Sequence, residues 1–472
     1  MTVVKNGVKE GGRRKVLFIC YFFPPVGGAG VQRPVKFIKY LHRFGWDVTV
    51  LTVENPSVPV FDESLFDDIP EATVIHKART FEPGYQYKAR LARPDGVAHV
   101  SSPEKKVSFI QGAKRVLRSV VGILLQPDPQ ILWFPTAYRK AVEVLRETPH
   151  DIIFSTAPPY SSLLLGRWLK RKTGLPLVLD YRDEWDLSST YLENSKRDRI
   201  SLFIQQRMQR AILRSSDGLV ATTAASTWRV IERAREFGAR LPGICIYNGF
   251  DDADFSAIPE HSTEKKTDGK LRIVYTGTLW NLTTVEPLVK AIIQLSAQQP
   301  TLMDKLELIF VGRKMSHQLV LLEQLGSTGC HLHIQDYCEH SEAISLMNSA
   351  DVLCLLLSDV DGAERVVPAK LFEYLAMNKE ILAITPKGET ADIVSRYFPD
   401  GHYTGGDIAG ICNWIEKKIR QRMAGIEPDR AEPREISEFS RQHQAGQLAD
   451  FLEKVVTGRA EQPSSIVADE SF

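Results

Sequence analysis

The sequence predicts an α/β protein made of two domains, each built on a doubly wound parallel sheet. Three observations carry this prediction. Short apolar runs alternate with segments of helical periodicity, the alternation stops at a polar stretch over residues 251–270 and then restarts, and 472 residues are too many for one ordinary core. Parallel sheets are covered by helices on both faces, so their strands appear as short apolar runs of this kind.

The composition is that of an ordinary globular protein. Apolar residues make up 43% of the chain, and 59 basic side chains nearly balance 58 acidic ones, so the overall charge gives no argument for nucleic-acid binding. The six cysteines include no Cys-x-x-Cys pair, which favours reduced thiols over a zinc site or a disulfide framework. No apolar run reaches the roughly 18 residues of a transmembrane helix. We expect a cytoplasmic protein that is at most peripheral to the inner face of a membrane.

Six strands are predicted in the first domain, which we place at residues 13–250. They lie at 15–22, 47–53, 151–157, 175–182, 218–224 and 244–249. A helix is predicted at 31–44, because apolar residues share one face of it at Val31, Val35, Ile38 and Leu41.

The polar stretch at 251–270 is interpreted as a linker, and a second domain is expected at 271–428. Its predicted strands lie at 271–279, 306–313, 330–337, 351–358 and 380–386. Residues 430–458 predict a last helix, and the tail at 459–472 is expected to be disordered.

One basic amphipathic stretch, at 104–126, fits the alternation poorly. It places Lys114, Arg115 and Arg118 among apolar residues. Two interpretations stay open: a core-packed helix with a solvated basic face, or an interfacial helix that contacts anionic lipid.

The glycine-rich loop after the first strand contains Gly27, Gly28 and Gly30. Bare backbone there allows a ligand to approach, and the helix that follows offers free N–H groups to an anion. A tight structural turn is the alternative. The spacing is not G-x-G-x-x-G, and no acidic residue closes the next strand as nicotinamide cofactors require, so a dehydrogenase is disfavoured.

Two further strand ends of the first domain carry polar residues. The segment "STAPPYSS" (155–162) predicts a rigid polar loop, or simply a strand-to-helix connection. The segment "DYRDEWD" (180–186) crowds four carboxylates around one arginine. Asp183 is a candidate to contact a sugar hydroxyl or to act as an acid or base. An ion pair between Arg182 and a carboxylate is the alternative.

The second domain offers glycine turns and cations at its strand ends. In "FVGRK" (310–314), Arg313 or Lys314 is placed to neutralise a phosphate, unless both are plain surface cations. In the helix "VPAKLFEYLA", Lys370 and Glu373 lie three residues apart on one face. The lysine suits diphosphate oxygens and the glutamate suits the vicinal hydroxyls of a ribose. An i,i+3 salt bridge is the alternative.

Taken in order, these motifs resemble the GT-B glycosyltransferases, most closely the retaining family 4-like group. The specific parts are "PPVGGAGVQR", "PDPQILWFPTAYRKA", "DIIFSTAPPYSS", "LVLDYRDEWD" and "VPAKLFEYLA", and the resemblance spans about 15–452. It implies a GT-B fold with an interdomain cleft, an acceptor-binding N-terminal domain, a nucleotide-sugar-binding C-terminal domain, and a helix at 429–458 that crosses back to the N-terminal domain.

The resemblance also implies functional residues. The donor is expected to contact Gly28, Gly30, Gly277, Thr278, Arg313, Tyr337, Cys338, Lys370, Leu371 and Glu373. The acceptor is expected to contact Arg33, Tyr160, Arg182 and Asp183. Asp183, Lys370 and Arg313 are the expected catalytic residues. Glu373 matches the second glutamate of the family's E-x7-E motif, whereas the first falls at Arg365. The family's Arg and Lys after the G-x-L turn are absent, and Lys370 with Arg313 is expected to replace them.

The implied reaction is the transfer of a hexose with retention from a UDP- or GDP-linked sugar, in glycan or polysaccharide biosynthesis. The acceptor is a glycan or a lipid-linked sugar, and neither a metal ion nor a separate cofactor is expected. The alternatives are a nucleotide-sugar 2-epimerase of the same fold and a non-catalytic scaffold of a polysaccharide-assembly complex. Peripheral membrane contact is expected through 104–126.

Overall fold

The structure is a computed structural model, which describes residues 12–85, 122–187, 199–255, 269–426 and 436–461. The chain forms two compact units. The first comprises the described residues up to Thr222, Ser226–Ile246 and those from Ala445 onward, and the second comprises Thr223–Ala225 and Tyr247–Gln444. The expected domain bounds stay a prediction at the level of single residues.

The first unit is built on a seven-stranded parallel sheet. Its strands are β1 (Arg14–Ile19), β2 (Trp46–Val53), β3 (Val74–Ala78), β4 (Ile152–Ala157), β5 (Leu177–Tyr181), β6 (Gly218–Ala221) and β7 (Gly243–Cys245). Their order in the sheet is β3-β2-β1-β4-β5-β6-β7, and every pair is parallel. The sheet therefore grows outward in both directions from β1 and β4.

Helices cover both faces of this sheet. They are α1 (Ala29–Leu41), α2 (Phe134–Glu147), α3 (Tyr160–Thr173), α4 (Arg199–Leu213), α5 (Ala224–Glu236) and the last helix, α13 (Arg441–Val456). The apolar face predicted for α1 is confirmed, because all four of its apolar residues are buried at Val31, Val35, Ile38 and Leu41. Helix α3 ends at Gly174, which adopts φ +78° as helix C-caps often do.

Side-chain alternation along β1 separates the core of the first unit into two layers. Val16 and Phe18 pack with α1 and α13, whereas Leu17 and Ile19 pack with α2 and α3. All four side chains are fully buried. Successive residues of a strand point to opposite faces, so a strand covered on both sides must be apolar throughout.

The second unit is built on a six-stranded parallel sheet. Its strands are β8 (Leu271–Thr276), β9 (Leu306–Val311), β10 (His331–Gln335), β11 (Val352–Leu356), β12 (Glu380–Ile384) and β13 (His402–Tyr403). Their order is β10-β9-β8-β11-β12-β13, again all parallel. The sheet is flanked by α6 (Asp252–Phe255), α7 (Glu286–Gln298), α8 (Ser316–Glu323), α9 (His340–Asn348), α10 (Lys370–Ala376), α11 (Glu389–Tyr397) and α12 (Ile408–Met423).

The predicted fold class is confirmed, and every strand predicted from the sequence is present within a few residues. Two edge strands were missed. Four of the five residues of β3 are exposed or only half-buried, and β13 has two residues, so neither gives the apolar run that marks a buried strand. The last helix, predicted at 430–458, is observed at Arg441–Val456.

Two other expectations concern the thiols and the membrane. All six cysteines lie in the described part of the chain and are free, in agreement with the sequence. Within the described ranges, no helix is both long and apolar enough to cross a membrane. The amphipathic stretch at 104–126 lies almost entirely outside the described residues, so its interpretation stays a prediction.

Candidate functional site

Each sheet reverses its strand order once, and the candidate motifs of each unit follow the strands at that reversal. It lies between β1 and β4 in the first unit and between β8 and β11 in the second. In open parallel sheets ligands bind beyond the carboxyl ends of the strands at this point, because the connections diverge and leave a crevice. Each unit therefore presents one candidate site.

The glycine loop of the first unit combines close packing with bare backbone. A Cβ on Gly27 would lie 2.9 Å from Val60 Cγ1, and the Gly27 amide donates to the Val60 carbonyl at 3.0 Å. Gly28 precedes α1 with φ +99°, and a Cβ there would meet nothing within 4 Å. The structural turn and the approachable backbone, which the sequence left as alternatives, are thus both present, at Gly27 and Gly28 respectively.

Arg182 holds the loops after β1 and β4 together. Its guanidinium donates to the carbonyl oxygens of Gly30, Ala157 and Pro158, and a Cβ on Gly30 would lie 3.1 Å from Arg182 Nη1. Burial lowers the pKa of Arg182. Among the described residues, no carboxylate forms an ion pair with it. The ion pair offered as the alternative for this segment is therefore not formed, and the arginine clamps backbone instead.

Asp183 presents an exposed carboxyl at the end of β5. The side chain forms no hydrogen bond or ion pair with a described residue, whereas its backbone carbonyl accepts a hydrogen bond from the Tyr160 hydroxyl at 3.1 Å. Desolvation raises the pKa of Asp183, the attraction of Arg182 opposes this, and the charges of Asp180 and Glu184 add to it. The carboxyl is thus fixed through its backbone and open to a ligand.

Two residues expected to contact the acceptor are buried in the first unit. Arg33 is 1% exposed, donates to Asp180 Oδ1 at 3.1 Å and donates to the Ile246 carbonyl at 2.8 Å. Tyr160 is 5% exposed, and its ring stacks on Trp185 with centroids 4.3 Å apart. Arg33 and Tyr160 instead hold the loops that carry Asp183 and the glycines. Either side chain would have to move out of its buried position to contact an acceptor.

The N-terminus of α3 is already occupied by a carboxylate of the same unit. Asp128 Oδ2 accepts a hydrogen bond from the Ser161 amide at 3.1 Å, and its Oδ1 is buried without a hydrogen-bond partner. Desolvation raises the pKa of Asp128 to about 6 against the stabilising bonds from Ser161. Because Asp128 takes the place of an anionic ligand, the loop "STAPPYSS" is best described as a capped strand-to-helix connection.

Two glycine turns meet at the strand ends of the second unit. Gly277 after β8 has φ +121° and Gly312 after β9 has φ +118°. A Cβ on Gly312 would lie 2.4 Å from the carbonyl oxygen of Gly277, and the Gly277 amide donates to the Val311 carbonyl at 2.7 Å. Only glycine satisfies both the backbone conformation and the contact. The result is a patch of bare backbone beside β8.

Lys370 projects from the start of α10 onto this patch. Its Nζ lies 3.8 Å from the centroid of the Tyr275 ring, and a Cβ on Gly277 would come within 2.6 Å of that Nζ. Among the described residues it forms no hydrogen bond and no ion pair, so the salt bridge to Glu373 offered as the alternative is not formed. Burial lowers the pKa of Lys370 to about 7. A partly desolvated ammonium that lacks an ion pair is costly, and an anion would relieve that cost.

Glu373 lies one turn further along α10 and forms part of a small charged group. Its Oε1 is 3.9 Å from Nε2 of His340, which lies 3.4 Å from Asp254 Oδ2. Desolvation raises the pKa of Glu373, while the charges of His340, Arg441 and Lys370 lower it. A half-buried carboxylate held in this way is suited to accept hydrogen bonds from two adjacent hydroxyls.

The remaining donor residues differ in their environment. Arg313 is exposed, and no ion pair with a described residue engages it. Lys314 instead donates to the carbonyl oxygens of Gly312 and Gln335, so it holds the two loops together. Leu371 is fully buried, and its amide donates to the Pro368 carbonyl at 3.0 Å. Exposed or half-buried positions are found at Thr278, Tyr337 and Cys338.

One known protein family matches a large part of the first unit. Residues 28–239 match the model of the glycosyl transferase 4-like domain. This part of the chain is similar to glycosyl transferase 4-like domains. The predicted resemblance to family 4-like glycosyltransferases is thereby confirmed, and the match supports a transferase. No curated protein matches the chain.

Solved structures show the GT-B fold over nearly the whole chain. The N-terminal domain of Candida albicans trehalose-6-phosphate phosphatase aligns with a TM-score of 0.61 at 14% identity, covering 96% of this chain and 98% of that one. Anabaena HepE, in complex with UDP and glucose, aligns with a TM-score of 0.57 at 16% identity, covering 94% and 100%. WaaG, a glycosyltransferase involved in lipopolysaccharide biosynthesis, aligns at 0.51 and 15%, covering 94% and 98%. At these identities the likeness concerns the fold alone.

Sequence reasoning missed three residues that shape these sites. Tyr275 carries the ring beneath Lys370, His340 adjoins Glu373, and Asp128 caps α3. Tyr275 lies two residues before Gly277, and Asp128 lies within the segment "PDPQILWFPTAYRKA", which is one of those that carry the family resemblance. Both residues are therefore close to motifs that the sequence reveals. No local pattern marks His340, because its partners are distant in the chain.

Proposed function

We propose that the chain transfers a sugar from a nucleotide-diphosphate-sugar to a hydroxyl group of a glycan or a lipid-linked acceptor, with retention of configuration. The proposal includes independence from metal ions and from any cofactor other than the UDP- or GDP-linked donor. One observation carries it: Lys370 is half-buried over the bare backbone of Gly277, at the strand reversal of the second unit, and forms no hydrogen bond or ion pair with a described residue. A diphosphate supplies the missing negative charge.

The residues of the second unit divide the work of donor binding. Lys370 donates to diphosphate oxygens, and the missing side chains of Gly277 and Gly312 let those oxygens approach. Glu373 accepts hydrogen bonds from the ribose hydroxyls. Arg313, exposed at the end of β9, adds positive charge where the leaving group accumulates negative charge. The backbone around Tyr337 and Cys338 contacts the base.

The chemical step needs no nucleophile from the protein. The bond between the anomeric carbon and the diphosphate oxygen breaks, and its electron pair stays on the diphosphate. The acceptor oxygen forms the new bond on the same face, and its proton passes to the departing diphosphate oxygen. Asp183 orients the acceptor hydroxyl by accepting its hydrogen bond, which suits an exposed residue whose carboxyl forms no hydrogen bond or ion pair with a described residue. Arg182 and Gly27 keep the surrounding loops in place, and Gly28 leaves its backbone open to a ligand.

The donor, pathway and cellular location belong to the same proposal. HepE was crystallised with UDP and WaaG acts in lipopolysaccharide biosynthesis, which makes UDP-sugars the first donors to test and glycan assembly the first pathway. We propose that the protein acts in the cytoplasm beside the membrane, because the proposed reaction uses nucleotide-sugars and lipid-linked acceptors.

A thermal-shift panel with UDP, GDP, ADP and their glucose conjugates tests the proposal. Ligand binding raises the apparent stability by mass action, by about 2.7 kcal/mol at a hundredfold excess over Kd. We expect one base to raise the Tm in a concentration-dependent manner and Lys370→Ala to remove that shift. A chain that binds no nucleoside diphosphate would be a scaffold. Release of a free 2-epimer from the bound donor, instead of transfer to an added acceptor, would show an epimerase.

A further inference from the structure

Over its first three turns, helix α4 of the first unit buries polar side chains and exposes apolar ones. Its inward face consists of Ser201, Gln205 and Gln209, each no more than 6% exposed. Its outward face presents Leu202 at 38% and Phe203 at 58% exposed. An ordinary surface helix does the opposite and turns its apolar stripe to the core.

Hydrogen bonds fix this orientation. Gln205 accepts a hydrogen bond from Trp185 Nε1 at 3.2 Å and donates to Gln126 Oε1. Gln209 accepts one from Arg233 Nε at 3.5 Å. Because the buried amides are satisfied by named partners, the helix cannot rotate to bury Leu202 and Phe203 without leaving those groups unpaired. The packing of the polar face therefore keeps Leu202 and Phe203 exposed.

Basic residues surround the exposed apolar ones. The guanidinium carbon of Arg207 lies 5.6 Å from the centroid of the Phe203 ring. Arg199, Arg210 and Arg214 are exposed on the same helix or directly after it. Neither α4 nor α3 contains an aspartate or a glutamate. All charged side chains of these two helices are therefore basic.

The adjacent helix α3 extends the surface. Arg167 Nε donates to the carbonyl of Ala211 in α4 at 3.1 Å, which joins the two helices. The next residue of α3, Trp168, is 46% exposed; its ring centroid lies 6.0 Å from the Arg171 guanidinium carbon and 6.3 Å from the ring centroid of Phe134 in α2. We call this surface the α3–α4 face, and its defining residues are Trp168, Arg171, Leu202, Phe203, Arg207 and Arg210.

We propose that the α3–α4 face docks on an anionic lipid surface. Exposed Trp, Phe and Leu side chains interleaved with arginines are what an interfacial helix presents to a membrane: the apolar groups enter the boundary of the acyl chains and the cations pair with headgroup phosphates. The complete lack of acidic residues on both helices complements a negatively charged surface. This face is separate from the stretch at 104–126, and its docking does not depend on donor binding.

Co-sedimentation of the full chain with vesicles tests the proposal. We expect binding to vesicles of equal parts phosphatidylglycerol and phosphatidylcholine, little binding to phosphatidylcholine alone, and weakening as salt is added. Each basic residue near an anionic surface contributes about fivefold to partitioning, so Arg207→Gln with Arg210→Gln is expected to lower it about 25-fold. Leu202→Ser with Phe203→Ser is expected to reduce binding as well, without loss of the circular dichroism signal, since both side chains are exposed.

Matched controls come from exposed residues of the second unit. Val320→Ser on α8, where Val320 is 57% exposed, and Lys417→Gln on α12 are expected to leave vesicle binding unchanged. Absence of binding to anionic vesicles would overturn the proposal, and so would binding that both α3–α4 double variants retain. Self-association in solution that Phe203→Ser abolishes would show that a second copy of the chain covers this face instead. UDP binding by the double variants separates a failure here from a failure of the proposed function.

Discussion

At the scale of single residues, Lys370 is the group whose environment departs most from that of an ordinary surface lysine. It is half-buried over an aromatic ring and a glycine turn, it forms no ion pair with a described carboxylate, and desolvation lowers its pKa to about 7. A lysine with a structural role is normally paired when it is buried. This one is arranged to receive an anion.

Lys370→Ala is expected to weaken UDP binding by about 1.5–3 kcal/mol, because a charge-assisted hydrogen bond to the diphosphate is lost. Isothermal titration calorimetry measures the change. Lys417→Ala, at an exposed lysine of the same unit, is the control and is expected to leave the affinity unchanged. An unaltered dissociation constant for Lys370→Ala would show that Lys370 does not contribute to donor binding.

The same residue predicts how the affinity depends on pH. Without ligand the Lys370 ammonium loses its proton at about pH 7, and a bound diphosphate raises its pKa again. Above pH 7, binding must therefore take up a proton, and UDP affinity is expected to fall as the pH rises, by up to about tenfold per unit. Below pH 7 this group contributes no slope. The Lys370→Ala variant is expected to lose the dependence, which calorimetry at several pH values detects.

Glu373 is expected to act on the ribose and not on the diphosphate. Glu373→Ala removes the acceptor for the vicinal hydroxyls, so UDP binding is expected to weaken by about 1–3 kcal/mol while pyrophosphate binding stays unchanged. Competition between the two ligands measures both constants. Equal losses for UDP and pyrophosphate would contradict the ribose assignment.

At the scale of secondary-structure elements, the candidate site of the second unit depends on strand ends that come into direct contact. The turns after β8 and β9 touch at Gly277 and Gly312, and Lys314 binds the carbonyl oxygens at the ends of β9 and β10. On the other side of β8, the Tyr374 hydroxyl of α10 donates to the Cys354 carbonyl at 3.3 Å. These contacts fix the position from which Lys370 projects.

Gly312→Ala is expected to destabilise the second unit by at least about 2 kcal/mol, because φ is positive there and the new Cβ would overlap the Gly277 carbonyl. Urea denaturation and UDP titration measure the two consequences, and both stability and affinity are expected to fall. Gly326→Ala is the matched control, since a Cβ there meets nothing within 4 Å and φ is not positive. A variant at Gly312 as stable as the one at Gly326 would contradict the contact.

At the scale of the whole molecule, each unit owes its stability to layers that cover a parallel sheet on both faces. In the first unit a buried ion pair crosses this arrangement: Arg33 of α1 reaches Asp180 of β5, which also accepts a hydrogen bond from Thr156 of β4 at 2.8 Å. Both charged side chains are about 1% exposed. Removing one partner alone leaves a buried charge without compensation.

Arg33→Met is expected to destabilise the first unit by about 3–5 kcal/mol, because Asp180 then stays buried as an unpaired carboxyl. The double variant Arg33→Met with Asp180→Leu is expected to recover much of that loss. Urea denaturation followed by circular dichroism measures all three. If the double variant is as unstable as the sum of the single ones, the ion pair is not the reason for the loss.

The sequence by itself determined the fold class, the strands of both sheets apart from two short edge strands, and most of the positions around which the candidate sites are built. These are local properties: apolar runs mark buried strands, and glycines and cations mark the turns that follow them. The glycine turns at Gly277 and Gly312, and Lys370 with Glu373, were found in this way. Whether residues 104–126 form a core-packed helix or a helix that contacts lipid stays a prediction. The roles of the donor and acceptor residues also stay predictions.

Only the tertiary structure decided which of these residues are available to a ligand. Arg33 and Asp180 are distant in the chain and form a buried pair, and Arg182 binds carbonyl oxygens instead of a carboxylate. Lys370 forms no ion pair with any residue that the structure describes, although Glu373 lies one turn away. The physical reason is that burial and pairing depend on which strand ends become neighbours. The order of strands in the sheet determines which strand ends become neighbours, and local sequence patterns do not reveal that order.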